Sequence, residues 1–150
     1  MSAPLQPAGL ASNPNYTGSQ IFFRKIYVTR AEIAAIFTTP KVLIPAITGK
    51  TIVPIPFCYV QRVNYANNWT TGSELTMISS SNTGVNAIGS IVVGYLTGTA
   101  TTLFNRIDFA VPSSTGGRFV KGDSIVLTSS ANPTGTGDFT LNLYVFYYII

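Results

Sequence analysis

The sequence has no histidine and a single cysteine, Cys58, in 150 residues. Losing the imidazole removes the commonest general base and metal ligand at neutral pH, and with it hydrolases built on Ser-His or Cys-His pairs. A lone cysteine cannot close an internal disulfide, so packing has to hold the fold, and a reducing site of synthesis suits it. Charge is scarce as well: 9% of residues are Asp, Glu, Lys or Arg, where a soluble domain ordinarily carries about 25%. The five carboxylates are Glu32, Glu74, Asp108, Asp123 and Asp138. A glycosidase needs two of them facing one cleft, and nothing in their spacing favours that. Single carboxylates beside turns cap or solvate, with a calcium site at Asp123 or Asp138 as the weaker alternative. The expectation is a chain with no catalytic residues, no metal and no cofactor.

Also missing are the basic start and apolar run of a secretory signal in residues 1–10, and any stretch of about 18 apolar residues able to span a membrane. The expected product is cytoplasmic at synthesis, with no membrane partner. Nine basic residues give a net charge of +4, but apart from Arg24, Lys25 and Arg30 they are scattered singly. That pattern predicts no specific nucleic-acid partner.

What the chain has in quantity is hydrophobic surface, 46% of residues. A domain of this length buries roughly 68–70% of what its unfolded chain exposes. A surface short of ions then calls for subunit contacts that hide part of it, or for uncharged Thr, Ser and Asn to solvate it.

Residues 1–20 hold Pro4, Pro7, Pro14, Gly9 and Gly18 among small polar residues with no hydrophobic period, which predicts an extended arm before one domain over 21–150. Either the arm is a loose terminus, or Leu5, Leu10 and Tyr16 anchor it on a neighbouring subunit. Residues 21–28 alternate β-branched and aromatic types as a first strand. Thr29-Arg30-Ala31-Glu32 is a capping box, with Val28 and Ile33 placed for a hydrophobic staple. Ile33, Ile36 and Phe37 mark one face at helical spacing and Pro40 ends it, predicting one short helix over 29–37. Strands are predicted at 41–46, 50–63, 74–79, 88–96, 101–111, 124–128 and 139–150, joined by turns such as Pro133-Thr134-Gly135-Thr136-Gly137. About eight short strands and one helix describe an all-β sandwich of two packed antiparallel sheets. Pro54 and Pro56 lose N–H groups on the same side of their strand, which places an edge or a bend there.

The last strand is the most informative. Phe139, Leu141, Leu143, Val145, Tyr147 and Ile149 fill one face, while the other begins polar with Thr140 and Asn142 and turns apolar at Tyr144, Phe146, Tyr148 and Ile150. A sandwich with water on its outer face does not tolerate that pattern cheaply. Tyr144, Phe146, Tyr148 and Ile150 are therefore candidate interface residues; the alternative is a strand buried on both sides within its own domain.

Two motifs carry less. Thr48-Gly49-Lys50-Thr51 imitates the end of a phosphate-binding loop, but Ile44 replaces the earlier glycine and a strand follows, so it is a turn. In the loop from Asn64 to Gly72, Tyr65 and Trp69 could stack on a sugar ring while Asn67 and Asn68 bond its hydroxyls; a lone tryptophan in a sandwich more often sits in a core or interface. Asn15-Tyr16-Thr17 and Asn68-Trp69-Thr70 match glycosylation acceptors by chance.

Three segments together resemble the opening of a family of small phage and prophage structural proteins: Thr29-Arg30-Ala31-Glu32-Ile33, then Thr38-Thr39-Pro40-Lys41-Val42-Leu43-Ile44-Pro45-Ala46, then Gly49-Lys50-Thr51-Ile52-Val53-Pro54. The turn Pro133-Thr134-Gly135-Thr136-Gly137-Asp138 before the last strand is also similar. The resemblance implies a jelly-roll-like sandwich that assembles, often as a homotrimer, into a head decoration, head fibre or related virion part, and it carries over no catalytic or ligand residue. The longer arm and Pro56 depart from the pattern. The expected function is a capsid decoration or cement subunit on the virion surface, made in the host cytoplasm and contacting copies of itself and the major capsid protein or other virion proteins. The alternative is a tail or fibre component that binds host-surface carbohydrate.

Overall fold

A computed structural model describes residues 20–56, 58–63, 67–82, 87–91, 94–97, 104–109 and 119–150. Leu5, Leu10 and Tyr16 of the expected arm, and Tyr65 of the expected binding loop, lie outside the described residues. In chain order the elements are β1 (Phe22–Val28), α1 (Arg30–Ala34), β2 (Lys41–Ile44), β3 (Ile52–Pro54), β4 (Tyr59–Val63), β5 (Leu75–Ser79), β6 (Gly89–Ile91), α2 (Gly94–Thr97), β7 (Phe104–Arg106), β8 (Asp108–Phe109), β9 (Ile125–Ser129) and β10 (Thr140–Ile149). No helix among the described residues is long and apolar enough to cross a membrane.

β10 organises the first sheet. One edge pairs antiparallel with β1, from Leu141 opposite Val28 to Tyr147 opposite Phe22. Its other edge pairs with β4, from Thr140 opposite Val63 to Tyr144 opposite Tyr59, and then with β3, from Tyr147 opposite Pro54 to Ile149 opposite Ile52. The first sheet runs β1-β10-β4-β7 with β3 also on β10, and the second runs β2-β9-β5-β6-β8. Along the chain the strands alternate between sheets: β1 in the first, β2 in the second, β3 and β4 in the first, β5 and β6 in the second, β7, then β8 and β9, then β10. Two antiparallel sheets interleaved in this way make a jelly roll, in agreement with the all-β sandwich expected from the sequence.

The element count is higher than expected, ten strands and two helices among the described residues, and each difference has a cause. The strand predicted over 50–63 is broken into β3 and β4, because Pro54 and Pro56 have no N–H for the ladder; one bond bridges the gap, from Ile55 N–H to the Phe146 carbonyl at 2.9 Å. The strand predicted over 101–111 splits at buried Ile107, where the chain crosses from the first sheet to the second. Ile107 N–H is held by the Cys58 carbonyl at 2.9 Å. The strand predicted over 88–96 ends at Ile91, and the short helix α2 then places adjacent Tyr95 and Leu96 in the core. Two neighbours buried together do not fit a period of two.

Helix α1 starts as its sequence demands. Glu32 N–H donates to Thr29 Oγ1 at 3.2 Å, Thr29 N–H donates back to Glu32 Oε2 at 2.8 Å, and Val28 and Ile33 are both buried. The helix stops at Ala34, three residues short of the prediction, and residues 35–38 form a turn. Ile33 and Ile36 stay in the core, but Phe37 leaves that face and is 51% exposed; its N–H donates to Asn132 Oδ1 at 2.8 Å.

Ile26, Val28, Val60, Leu141, Leu143 and Val145 from the first sheet join Leu43, Leu75, Met77, Ile125 and Leu127 from the second in one core cluster. At one end two loops are clasped. Thr70 N–H and Thr71 N–H donate to the Thr134 carbonyl, Thr134 N–H returns to Thr71 at 3.1 Å, and Asp138 accepts from the Asn67 N–H at 2.8 Å and its side-chain amide at 2.9 Å. Gly137 lies flat on the Trp69 indole, where a Cβ would come within 2.6 Å of Cε2. Gly135, at a φ of +100°, leaves no room either, since a Cβ there would meet Thr70 Cβ at 2.8 Å.

Two outcomes are expected. Gly137→Ala should lower the unfolding free energy by about 1–3 kcal/mol in denaturant titrations, the cost of forcing a methyl into a packed contact. Burial pushes the Glu32 carboxyl up, but hydrogen bonds from Lys41 and Thr29 and the Lys41 charge outweigh it and hold the group below its ordinary range. A carboxylate lowered on folding stabilises the fold above its unfolded pKa and loses that contribution as pH falls through the lowered one. Glu32→Ala should therefore cost about 1 kcal/mol at neutral pH, and its thermal stability should decline less than the wild type's between pH 5 and pH 3.

Candidate interaction surface

The strand period divides β10 cleanly. Leu141, Leu143 and Val145 are wholly buried against the second sheet. The opposite parity puts Tyr144, Phe146 and Tyr148 on the outer face of the first sheet, beside Phe23, Lys25 and Tyr27 of β1 and Tyr59 and Gln61 of β4. The face is graded from one end to the other. At the start of β10, Thr140 and Asn142 are almost closed off, and Gln61 Oε1 accepts from the Asn142 amide at 3.4 Å and from the Tyr144 hydroxyl at 3.0 Å.

Toward the other end the face is aromatic and open. The Phe23 ring lies 4.9 Å from Phe146 and 6.4 Å from Tyr144, and Lys25 Nζ sits 5.5 Å from the centre of the Tyr144 ring. Tyr144, Phe146 and Tyr148 are half-buried by these neighbours. Phe23 keeps 55% of its surface exposed, Ile21 62% and Ile150 59%, while Tyr27, opposite Asn142 at the polar end, keeps 48%. Arg106, opposite Tyr59 on the same face, is exposed. The alternation in the sequence already put the β10 candidates on one shared face; their neighbours from β1 and β4 needed the register.

In the loop weighed as a sugar-binding candidate, the tryptophan takes a core position, the place expected more often for a lone tryptophan in a sandwich. Trp69 is only 4% exposed and packs in the core under Gly137, so its ring offers no face for stacking. Asn68 Oδ1 accepts from Arg62 Nη1 at 3.1 Å, and Asn67 is tied to Asp138. Arg62 itself is a buried structural position that the sequence pattern did not single out. It is 1% exposed, with its guanidinium 4.8 Å from the Tyr95 ring and 5.5 Å from the Phe139 ring. The signal was there in the alternation, since Arg62 shares its side of β4 with buried Val60.

A second feature, also missed, is a groove of about 640 Å³ on the outer face of the second sheet. Thr76, Ile78, Val126 and Thr128 line it from β5 and β9, with exposed Phe37 on the wall and Glu74 at the rim. Three other carboxylates are engaged locally: Glu32 pairs with Lys41, Asp123 accepts from the Ser81 N–H at 2.8 Å, and Asp138 holds Asn67.

No protein-family model matches the sequence, and no curated protein matches it. Among solved structures, a chain of the cyanophage Pam1 capsid asymmetric unit is similar, with a TM-score of 0.50 and 10% identity over 99% of this chain and 91% of that one. The likeness is one of fold. It extends over almost the whole jelly roll rather than a fragment of it.

Burial pushes the Cys58 thiol up to about 11, in spite of its contact with the Phe146 carbonyl. Iodoacetamide at pH 8 should therefore leave the native protein unlabelled over times that fully label it in denaturant. Because the thiol is raised on folding, its contribution to stability is intact below its ordinary range and falls as pH climbs toward 11.

Proposed function

We propose that the chain is a structural subunit of a bacteriophage particle, in particular a capsid decoration or cement protein. It would sit on the virion surface against copies of itself and against the major capsid protein or another virion protein. The observation that carries this reading is the aromatic outer face of the first sheet, built from Phe23, Tyr27, Tyr144, Phe146 and Tyr148 on a jelly roll whose other face already forms the core. The similar fold of a chain in a cyanophage capsid asymmetric unit supports the same reading.

The mechanism is physical and needs no catalytic step. Apolar area removed from water gives about 25 cal/mol per Å² before the costs of association, and aromatic side chains supply the anchor points of protein interfaces. Jelly rolls leave the outer faces of their sheets available, so a subunit of this kind can bridge neighbours with one face and keep its core intact. The carbohydrate-binding alternative loses Trp69 as a stacking ring, since that side chain is in the core.

Changing Phe146 and Tyr148 together to Ser tests the reading. The variant should keep its far-ultraviolet circular dichroism and its cooperative melting, yet fail to oligomerise and fail to rebind particles stripped of the wild-type protein. A wild type that stays monomeric at high concentration and binds no particle, or a variant that melts as an unfolded chain, would overturn it.

A further inference from the structure

The two outer faces of the sandwich differ in charge as well as shape. The aromatic face of the first sheet carries the exposed cations Lys25 and Arg106 and no carboxylate among the described residues. The groove of the second sheet has the opposite character: it is concave, its wall offers exposed Phe37, and its only charged lining residue is Glu74. Glu74 makes no hydrogen bond or ion pair among the described residues, unlike Glu32, Asp123 and Asp138.

Three contacts between copies are conceivable from these surfaces. Aromatic face against aromatic face brings cations of both copies into one desolvated patch, and like charges placed together suppress association. Groove against groove does the same with two carboxylates and leaves the concavities unfilled. Aromatic face against groove joins opposite charges and sets projecting rings against a hollow.

Resting on the reading of the chain as an assembling subunit, the geometry points to a heterologous contact: the aromatic face of one copy docks in the Phe37–Glu74 groove of the next. Lys25 and Arg106 meet Glu74 at the rim and choose the orientation, while the rings of Phe23 and Phe146 supply the buried area. Exposed ion pairs add little affinity, so their role is selection between these arrangements. A head-to-tail contact leaves one face of each type free at the ends, and it therefore closes into a ring or continues as a chain.

Charge reversal with complementation tests this. Wild-type protein, Glu74→Lys, and the double variant Lys25→Glu with Arg106→Glu are each run in sedimentation velocity at low salt, with circular dichroism to verify folding. Each variant alone should associate about tenfold more weakly than wild type, because both of its docking faces carry the same sign. An equimolar mixture of the two should recover assembly, since every aromatic face then finds a groove of opposite charge in the other variant. If the double variant does not fold, Lys25→Glu with Glu74→Lys as its complement makes the same comparison.

Glu74→Lys associating like wild type, or a mixture no tighter than the separate variants, overturns the head-to-tail contact. The two failures are separable: a wild type that is monomeric alone but still rebinds stripped particles refutes this contact and leaves the virion role standing.

Discussion

A strand hydrogen-bonded along both edges and apolar on both faces has few ways to be satisfied, and β10 imposes that constraint on the molecule. Its ten residues hold β1 on one side and β4 and β3 on the other, so three segments far apart in sequence are registered by one template. Slipping any of them by one residue would turn its own core side chains outward, Val28 of β1 or Val60 of β4, and bring Tyr27 or Tyr59 inward in exchange. The inner face tolerates no such exchange because those aliphatic side chains are fully enclosed. The outer face is thereby forced to present aromatic rings.

The ends of the sandwich show how few ions are needed when each is placed. Arg62 is enclosed by Tyr95, Phe139 and Asn68, an arrangement that replaces water around the guanidinium with ring faces and an amide oxygen. Burial pushes the Tyr95 hydroxyl up, in spite of Arg62 nearby, and its proton is given to the Val60 carbonyl at 3.2 Å. Beside this cluster the Gly137 and Trp69 contact seals the loop ends. A fold with 9% charged residues places Glu32 and Lys41 at a helix cap, Asp138 at a loop clasp and Arg62 in a buried aromatic cage.

Much of this was legible in the sequence where a local rule applied. The capping box at Thr29 and Glu32, the proline break after β3 and the inner and outer partition of β10 each follow from spacing within a dozen residues. What was illegible depends on contacts across the chain. Nothing near Phe37 says that the helix will end at Ala34, turn that ring outward and give the backbone N–H to Asn132, and nothing near Trp69 says that Gly137 will cover it. The groove of the second sheet is invisible for the same reason, since its floor joins β5 to β9 and its wall comes from the turn after α1.

In the proposed head-to-tail contact, a division of labour between the two outer faces accounts for the coexistence of scarce charge and abundant exposed rings. A symmetric surface of Phe23, Tyr27 and Ile150 would attach to any hydrophobic patch, including its own copies in every orientation. Putting Lys25 and Arg106 around the rings and Glu74 beside the hollow makes most of those encounters unfavourable at small cost to the one that fits, which is how charge confers specificity at interfaces. A few ions distributed by face thus do what many ions distributed at random would not: they leave the apolar area available for contact while restricting which contact forms.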